Sequence, residues 1–368
     1  MVEKWISNYH ALTDYLKNNP EIEVSKDTIS IPAGLRLEFY RLFDEIRLSF
    51  IKESTPGDFL TNAFALKENW EKASYSLTKT LKLARIQLNA KLTWFLKNPT
   101  DGLMRIIHDP LFDLLQGKNT VDGFQTSCKT LLGKESFSLM SEGYRRWITL
   151  AIIELLLPDK MLMVHAPNSH NSVYLGDSSM GISLIESTVP DPEESSELSF
   201  IQAPENAFLV PLCIIHSTLL NNFVSFSPDY HYAFWKSYNL NTKLEWLSLK
   251  EVESQFKSYL SWPDITVYTG NEPGGLKLIA DYANVARPYL NIEVIEGLTP
   301  FTEERFDEIK RHHKVLKPVL GSFVISNVRI PEFLAVNPDE MGGINWLESG
   351  YDSKKLEPVA SILSNLAG

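Results

Sequence analysis

Apolar residues recur at steps of three and four positions through much of the first part of the chain. Between residues 35 and 50 they are Leu35, Phe39, Leu42, Phe43, Ile46 and Phe50. Such steps place side chains on one face of a helix, so this pattern predicts an amphipathic helix. The same periodicity covers residues 64–96 and 144–157, and the alternation typical of strands is scarce before residue 158. Residues 1–157 are therefore predicted to form a mainly helical domain.

Pro158 and Asp159 end the last of these helices, and short β-rich segments follow. Beyond them the predicted strands are 198–203, 223–226, 265–268, 291–295 and 322–326, and the predicted helices are 207–220, 249–260 and a helix capped by Thr299 and Pro300 that ends near Leu316. Strands that alternate with helices imply crossover connections and a parallel sheet. The predicted fold class is α/β, with a mostly parallel sheet in a second domain (158–368) that starts with a β-rich entry segment.

Composition restricts the cellular compartment and the classes of partner that we expect for the protein. Cys128 and Cys213 are the two cysteines and lie far apart, so neither a disulfide framework nor a zinc site is predicted. The first residues lack the apolar stretch of a signal peptide, and the longest apolar run, 148–157, is shorter than the roughly 20 residues that span a bilayer. We therefore expect a cytoplasmic protein without a membrane partner. The net charge of −11 argues against broad phosphate binding but leaves room for a local basic stripe.

Acidic residues follow two of the predicted strands. Glu205 comes after strand 198–203, and Glu272 lies in a glycine-rich turn, 270–275, after strand 265–268. Functional groups collect at the carboxyl ends of strands in open α/β sheets, so these acids are expected to lie close together. Two carboxylates can hold a magnesium ion, which prefers oxygen ligands. The alternatives are that Glu205 complements a helix N-terminus, and that the turn is purely structural or cradles a phosphate, although it lacks the P-loop spacing.

The order of these features resembles a Toprim domain. Over residues 198–295 it runs strand, Glu-Asn, helix, then strand, Gly-x-Glu-Pro-x-Gly-Leu, helix. It is most similar to the Toprim domains of nuclease subunits in bacterial condensin-like plasmid-defence systems. The resemblance implies a Rossmann-like sheet and magnesium-dependent cleavage of nucleic acid, with Glu205 and Glu272 as catalytic residues and metal ligands. In this chain Gly270 stands at the position of the first aspartate of the family's Asp-x-Asp motif. The nuclease activity that the resemblance implies is therefore either retained or decayed.

A second pair of acids suggests another nuclease class. Asp281 and Glu293, followed by a helix and a strand, resemble the core of restriction-endonuclease-like nucleases. That family also uses a lysine two positions after the glutamate, where this chain has Ile295. Lys310 in the next helix supplies the charge only if that helix folds back. This hypothesis needs residues 276–282 as a strand. Apolar positions from 276 to 290 step by three and four, which favours a helix and the Toprim-like hypothesis.

The predicted helix before Leu316 ends in basic residues, and Lys317 follows it: Arg311, His312, His313, Lys314 and Lys317. These residues form either a local phosphate-binding patch or a solvated helix face, and the adjacent histidines should point apart. Two function classes remain open. One is a metal-dependent, nuclease-like protein that acts on DNA. The other is a non-catalytic interaction or scaffold protein that binds a partner subunit.

Overall fold

The computed structural model describes residues 3–165, 183–186, 196–201, 212–228, 237–239, 246–248, 263–271, 277–279, 284–297, 301–331 and 342–364. Contacts divide the chain into two compact units. One unit comprises Met1–Glu68 and Ala90–Gly143, and the other comprises Asn69–Asn89 and Tyr144–Gly368. The first part of the chain is helical and the second is rich in strands, which confirms the α/β class.

The α-helices, in chain order, are α1 (Lys4–Asn18), α2 (Arg36–Ser54), α3 (Phe59–Thr80), α4 (Ala90–Lys97), α5 (Pro99–Ile106), α6 (His108–Leu115), α7 (Val121–Leu155), α8 (Glu303–Leu316) and α9 (Glu357–Ser364). The amphipathic helix predicted from residue 35 onward is α2, whose Phe39 and Phe50 are fully buried. Phe50 lies against Trp5 and Phe124, with ring centroids 5.3 and 5.2 Å apart respectively. Burial of large aromatic rings is a major source of stability for such a helical core. In the described part of the chain, no helix combines the length and the apolar character needed to cross a bilayer.

The strands are β1 (Glu23–Val24), β2 (Ile29–Ser30), β3 (Arg85–Gln87), β4 (Pro158–His165), β5 (Ser183–Glu186), β6 (Glu197–Ser199), β7 (Cys213–Ser217), β8 (Asn222–Pro228), β9 (Ser237–Asn239), β10 (Trp246–Ser248), β11 (Ile265–Gly270), β12 (Lys277–Ile279), β13 (Asn284–Ala286), β14 (Leu290–Ile295), β15 (Ser322–Ser326) and β16 (Ile344–Glu348). Eight of them form a sheet in the order β16-β15-β14-β11-β8-β7-β4-β5. The pairs β14–β15 and β15–β16 are parallel, and the other neighbours in this sheet are antiparallel. The sheet is therefore mixed, rather than mostly parallel as expected from sequence.

The helix predicted at residues 207–220 is wrong where the structure describes it. Residues 213–217 form β7, and the chain reverses through residues 218–221 into the antiparallel neighbour β8. Ile214 and Ile215 are both buried, because a central strand is covered on both faces. An uninterrupted apolar run of this kind fits a buried strand as well as a helix. The turn signal was Asn221, whose φ of 48° is one that asparagine adopts more readily than most residues.

The helix favoured over residues 276–290 is also wrong in its described parts. Residues 277–279 form β12, which pairs with β9, while residues 284–286 form β13, which pairs with β10. Both pairs lie outside the eight-stranded sheet. The spacing of apolar residues by three and four positions covers only about four helical turns here. Such short apolar patterns are ambiguous between helix and strand, and strand pairing determined the structure.

The α8 helix covers the parallel part of the sheet. It ends at Leu316 as predicted but begins at Glu303, because the Thr302 side chain accepts a hydrogen bond from the Arg305 backbone N–H and so caps the helix. Its Ile309 packs in a buried cluster with Ile295, Val324 and Ile344, one residue from each of β14, β15 and β16. The crossover from β14 through α8 to β15 is thus the β–α–β unit that the sequence predicted for this region.

Candidate functional site

The two acids of the Toprim-like hypothesis, Glu205 and Glu272, lie outside the described residues. Their predicted approach to one another therefore stays a prediction. Gly270, which occupies the position of the missing aspartate, is the last residue of β11 and pairs with Phe223 of β8. It is buried and in an extended backbone conformation.

The second pair of acids is described in part. Asp281 lies outside the described residues, whereas Glu293 is on β14 with 1% of its surface exposed. Ile295, at the position of the family's lysine, is buried in the core. The ammonium of Lys310 lies 4.4 Å from the ring centroid of Phe306, and the cations that contact Glu293 are other residues.

Both carboxylate oxygens of Glu293 have side-chain partners on α8. Its Oε1 lies 2.6 Å from Nδ1 of His312, and its Oε2 lies 3.0 Å from Nη2 of Arg305. The same Arg305 nitrogen donates to Asp264 Oδ2, also at 3.0 Å. Asp264 Oδ2 further accepts from the backbone N–H of Val294 at 2.7 Å. A guanidinium held between two carboxylates is a strong, directional arrangement, because the hydrogen bonds are charge-assisted.

Arg145 of α7 completes this buried charge network, 3.3 Å from Asp264 Oδ1, and Glu308 pairs with Arg305 one turn along α8. Burial of the guanidinium opposes its charged form, but the charges of Asp264 and Glu293 outweigh burial and raise the pKa of Arg305. Arg305 therefore stays charged, and its ion pairs hold α8 against β14 and the residue before β11. The network therefore acts as a structural anchor for α8, since both acids already have the partners that a buried charge requires.

Sequence reasoning missed Arg305 and His312 as partners of Glu293. The available signal was their spacing of seven positions, which is two helical turns and places both on one face of α8. His313, by contrast, contacts Ser322 and Gly342 instead of Glu293, which confirms that the adjacent histidines point apart. Neighbouring side chains on a helix diverge in this way.

Polar residues also gather where the three parallel strands end. Glu296 follows β14 directly and is buried, and Asn327 follows β15 and donates to Glu296 Oε1 at 3.3 Å. The same amide donates to the Tyr351 hydroxyl at 2.9 Å. Beyond β16, Ser349 lies 2.8 Å from the hydroxyl of Tyr144, whose pKa is raised by burial. The carboxyl ends of strands are where α/β sheets place ligands, and here they hold the buried carboxylate of Glu296 among amide and hydroxyl groups.

The described residues contain no cluster that could hold a metal ion and no cysteine with a lowered pKa. No three His, Cys, Asp or Glu side chains come together there in a set that could hold a metal ion. Burial raises the pKa of Cys128 to about 11 and that of Cys213 to about 12. Neither thiol is a thiolate at neutral pH, so neither has the reactivity of a catalytic cysteine.

Comparison with known proteins adds no relative: no protein-family model, no curated protein and no solved structure matches this chain.

Proposed function

We propose that this protein acts by binding rather than by cleavage, as a non-catalytic interaction protein built on a nuclease-like α/β domain. The expected setting is the cytoplasm, and the expected partner is DNA or a protein subunit of a nucleic-acid-processing or defence assembly. The Toprim-like character of the domain belongs to this proposal and rests on the sequence motifs at Glu205 and Glu272.

The buried charge network carries the proposal. A magnesium ion that bridges a phosphate needs carboxylate oxygens that face the substrate and leave room for water ligands. Glu293 is buried, and Arg305 and His312 occupy its two oxygens. Asp264 accepts from Arg305 and from the backbone of Val294. These acids are used to hold the domain together, and Gly270 offers no acid at all.

The competing function is a magnesium-dependent nuclease that uses Glu205 and Glu272. A cleavage assay separates the two functions. Purified protein is incubated with single- and double-stranded DNA and with RNA, in magnesium or manganese and with a chelator as the blank. We expect no metal-dependent cleavage by the wild type. Cleavage that disappears in Glu205→Ala or Glu272→Ala would overturn the proposal and assign both acids to a metal site.

Restoring the missing acid extends the same assay. Gly270→Asp adds a carboxylate at the end of β11, and Asn271→Asp adds the same charge at the exposed neighbouring position as a matched control. Cleavage gained with Gly270→Asp alone would identify a decayed nuclease, in line with the proposal. Cleavage by the wild type that survives both alanine substitutions would place the chemistry at other residues.

A further inference from the structure

A basic pocket lies at the amino ends of the parallel strands, at the opposite edge of the sheet from Glu296. Its volume is ≈ 580 Å³, within the range typical of small-molecule sites. Its charged lining consists of Arg287, Lys314 and Lys317, and no acidic residue is among the described residues that line it. Three positive charges around one pocket stand out in a chain whose net charge is −11.

Backbone contacts fix the guanidinium of Arg287 and the main chain at Lys317. Nε of Arg287 donates to the carbonyl oxygen of Lys317, which fixes the guanidinium beside the end of α8. Lys317 is left-handed, with φ 45° and ψ 53°, and its N–H donates to the carbonyl of His313 at 2.9 Å. The exposed side chains of Lys314 and Lys317 form no ion pair with other residues in the described part of the chain. Their charges are therefore available to a ligand.

Backbone forms the floor of the pocket. Gly321 has φ +92°, and a Cβ on it would come within 2.5 Å of the carbonyl oxygen of Gly343. A side chain is therefore excluded at Gly321, because carbonyl and Cβ would overlap. Nε2 of His313 donates to the carbonyl of Gly342 at 2.7 Å, and its Nδ1 lies 2.9 Å from Oγ of Ser322. Burial lowers the pKa of His313, so this ring supports the wall of the pocket as a neutral group.

Favourable interaction with the dipole of α8 does not account for the whole arrangement. Lysines near a helix C-terminus complement its partial negative charge. Arg287, however, comes from the segment between β13 and β14 and not from the helix. Cations from two separate segments of the chain thus meet at one pocket, which indicates that these side chains have a use there.

We propose that this pocket binds the phosphate group of a small phosphomonoester. A phosphomonoester carries up to two negative charges, which three cations balance better than they balance the single charge of a carboxylate. The planar guanidinium of Arg287 suits phosphate oxygens, and the lysines add point charges. A nucleic-acid backbone needs an extended basic track, whereas the charged side chains that line this pocket are three residues around one cavity. The proposal goes beyond the function proposed above and does not depend on it.

Isothermal titration calorimetry in phosphate-free buffer at low salt tests this proposal. The probes are inorganic phosphate, adenosine 5′-monophosphate, adenosine as the uncharged comparison, and a short single-stranded oligonucleotide. The variants are Lys314→Gln and Lys317→Gln. Lys310→Gln is the matched control, because Lys310 is exposed on the same helix but packs over Phe306, outside the pocket. Thermal unfolding of each variant verifies that the fold is kept.

Phosphate and the monophosphate should each bind at one saturable site, and adenosine should not bind. Each of the two pocket substitutions should weaken binding about tenfold, as expected for the loss of one charge-assisted hydrogen bond. Lys310→Gln should leave the affinity unchanged. Absence of saturable phosphate binding would overturn the proposal, as would an equal loss in Lys310→Gln. Tighter binding of the oligonucleotide that is lost in the pocket variants would reassign the pocket to a nucleic-acid backbone.

Discussion

Replacing Glu293 by glutamine should lower the free energy of unfolding by about 3 to 5 kcal/mol, the usual cost of removing one partner of a buried ion pair. The substitution keeps the size of the side chain but leaves Arg305 and His312 without their shared negative charge. Chemical denaturation followed by circular dichroism measures the change. The matched control is Glu38→Gln, which alters an exposed pair with Arg41 and should leave stability nearly unchanged.

The direction of this effect distinguishes the functions of Glu293. An acid that serves a metal site lies near other acids, so its neutralisation relieves repulsion and leaves the protein as stable as before or more stable. A stabilising or neutral Glu293→Gln would therefore contradict the anchor role and favour the endonuclease-like hypothesis with Asp281. A loss confined to Glu293→Gln and absent from the control would support the anchor.

Replacing Arg305 by methionine should be equally severe, at about 3 to 5 kcal/mol, because it leaves two buried carboxylates with one fewer cation. Methionine keeps much of the aliphatic stem, so lost packing contributes little. Asp264 retains Arg145 and the Val294 N–H, which sets the lower end of this range. Arg41→Met is the control, since Arg41 forms a comparable set of ion pairs on an exposed helix face.

The double variant adds an internal check on this prediction. Residues in direct contact are not independent, so Glu293→Gln combined with Arg305→Met should cost less than the two single losses added together. Strict additivity in a double-mutant cycle would mean that the two side chains do not interact in solution, and would remove the basis for the anchor.

Much of the fold followed from local patterns. The amphipathic helix α2 and the strands β11, β14 and β15 were predicted near their observed positions, because each has a clear period or a compact β-branched run. The failures came at β7 and β12, where a short apolar run fits two structures and strand pairing decides between them. The partner of β12 is β9, which is distant in sequence and not encoded in any local window, whereas the hairpin of β7 and β8 had a local turn signal at Asn221.

The partners that Asp264 and Glu293 have in the structure were not predicted from the sequence. Asp264 and Glu293 share Arg305 because β11 and β14 are antiparallel, with Ile265 opposite Ile292. In the parallel sheet that the alternating strands and helices predicted, all strands start at the same end of the sheet. That arrangement does not bring Asp264, which precedes β11, beside Glu293 within β14. Register and direction, which tertiary packing determines, were the missing information.

Manganese-dependent thermal unfolding tests the central claim, that this protein does not hold a catalytic metal. A ligand that binds only the folded state stabilises it by about 2.7 kcal/mol at a hundredfold excess over its dissociation constant. We predict that unfolding of the wild type is the same with manganese as with a chelator, because Asp264 and Glu293 are already paired with Arg305. A saturable stabilisation by manganese that disappears in Glu205→Ala, Glu272→Ala or Glu293→Gln would contradict it.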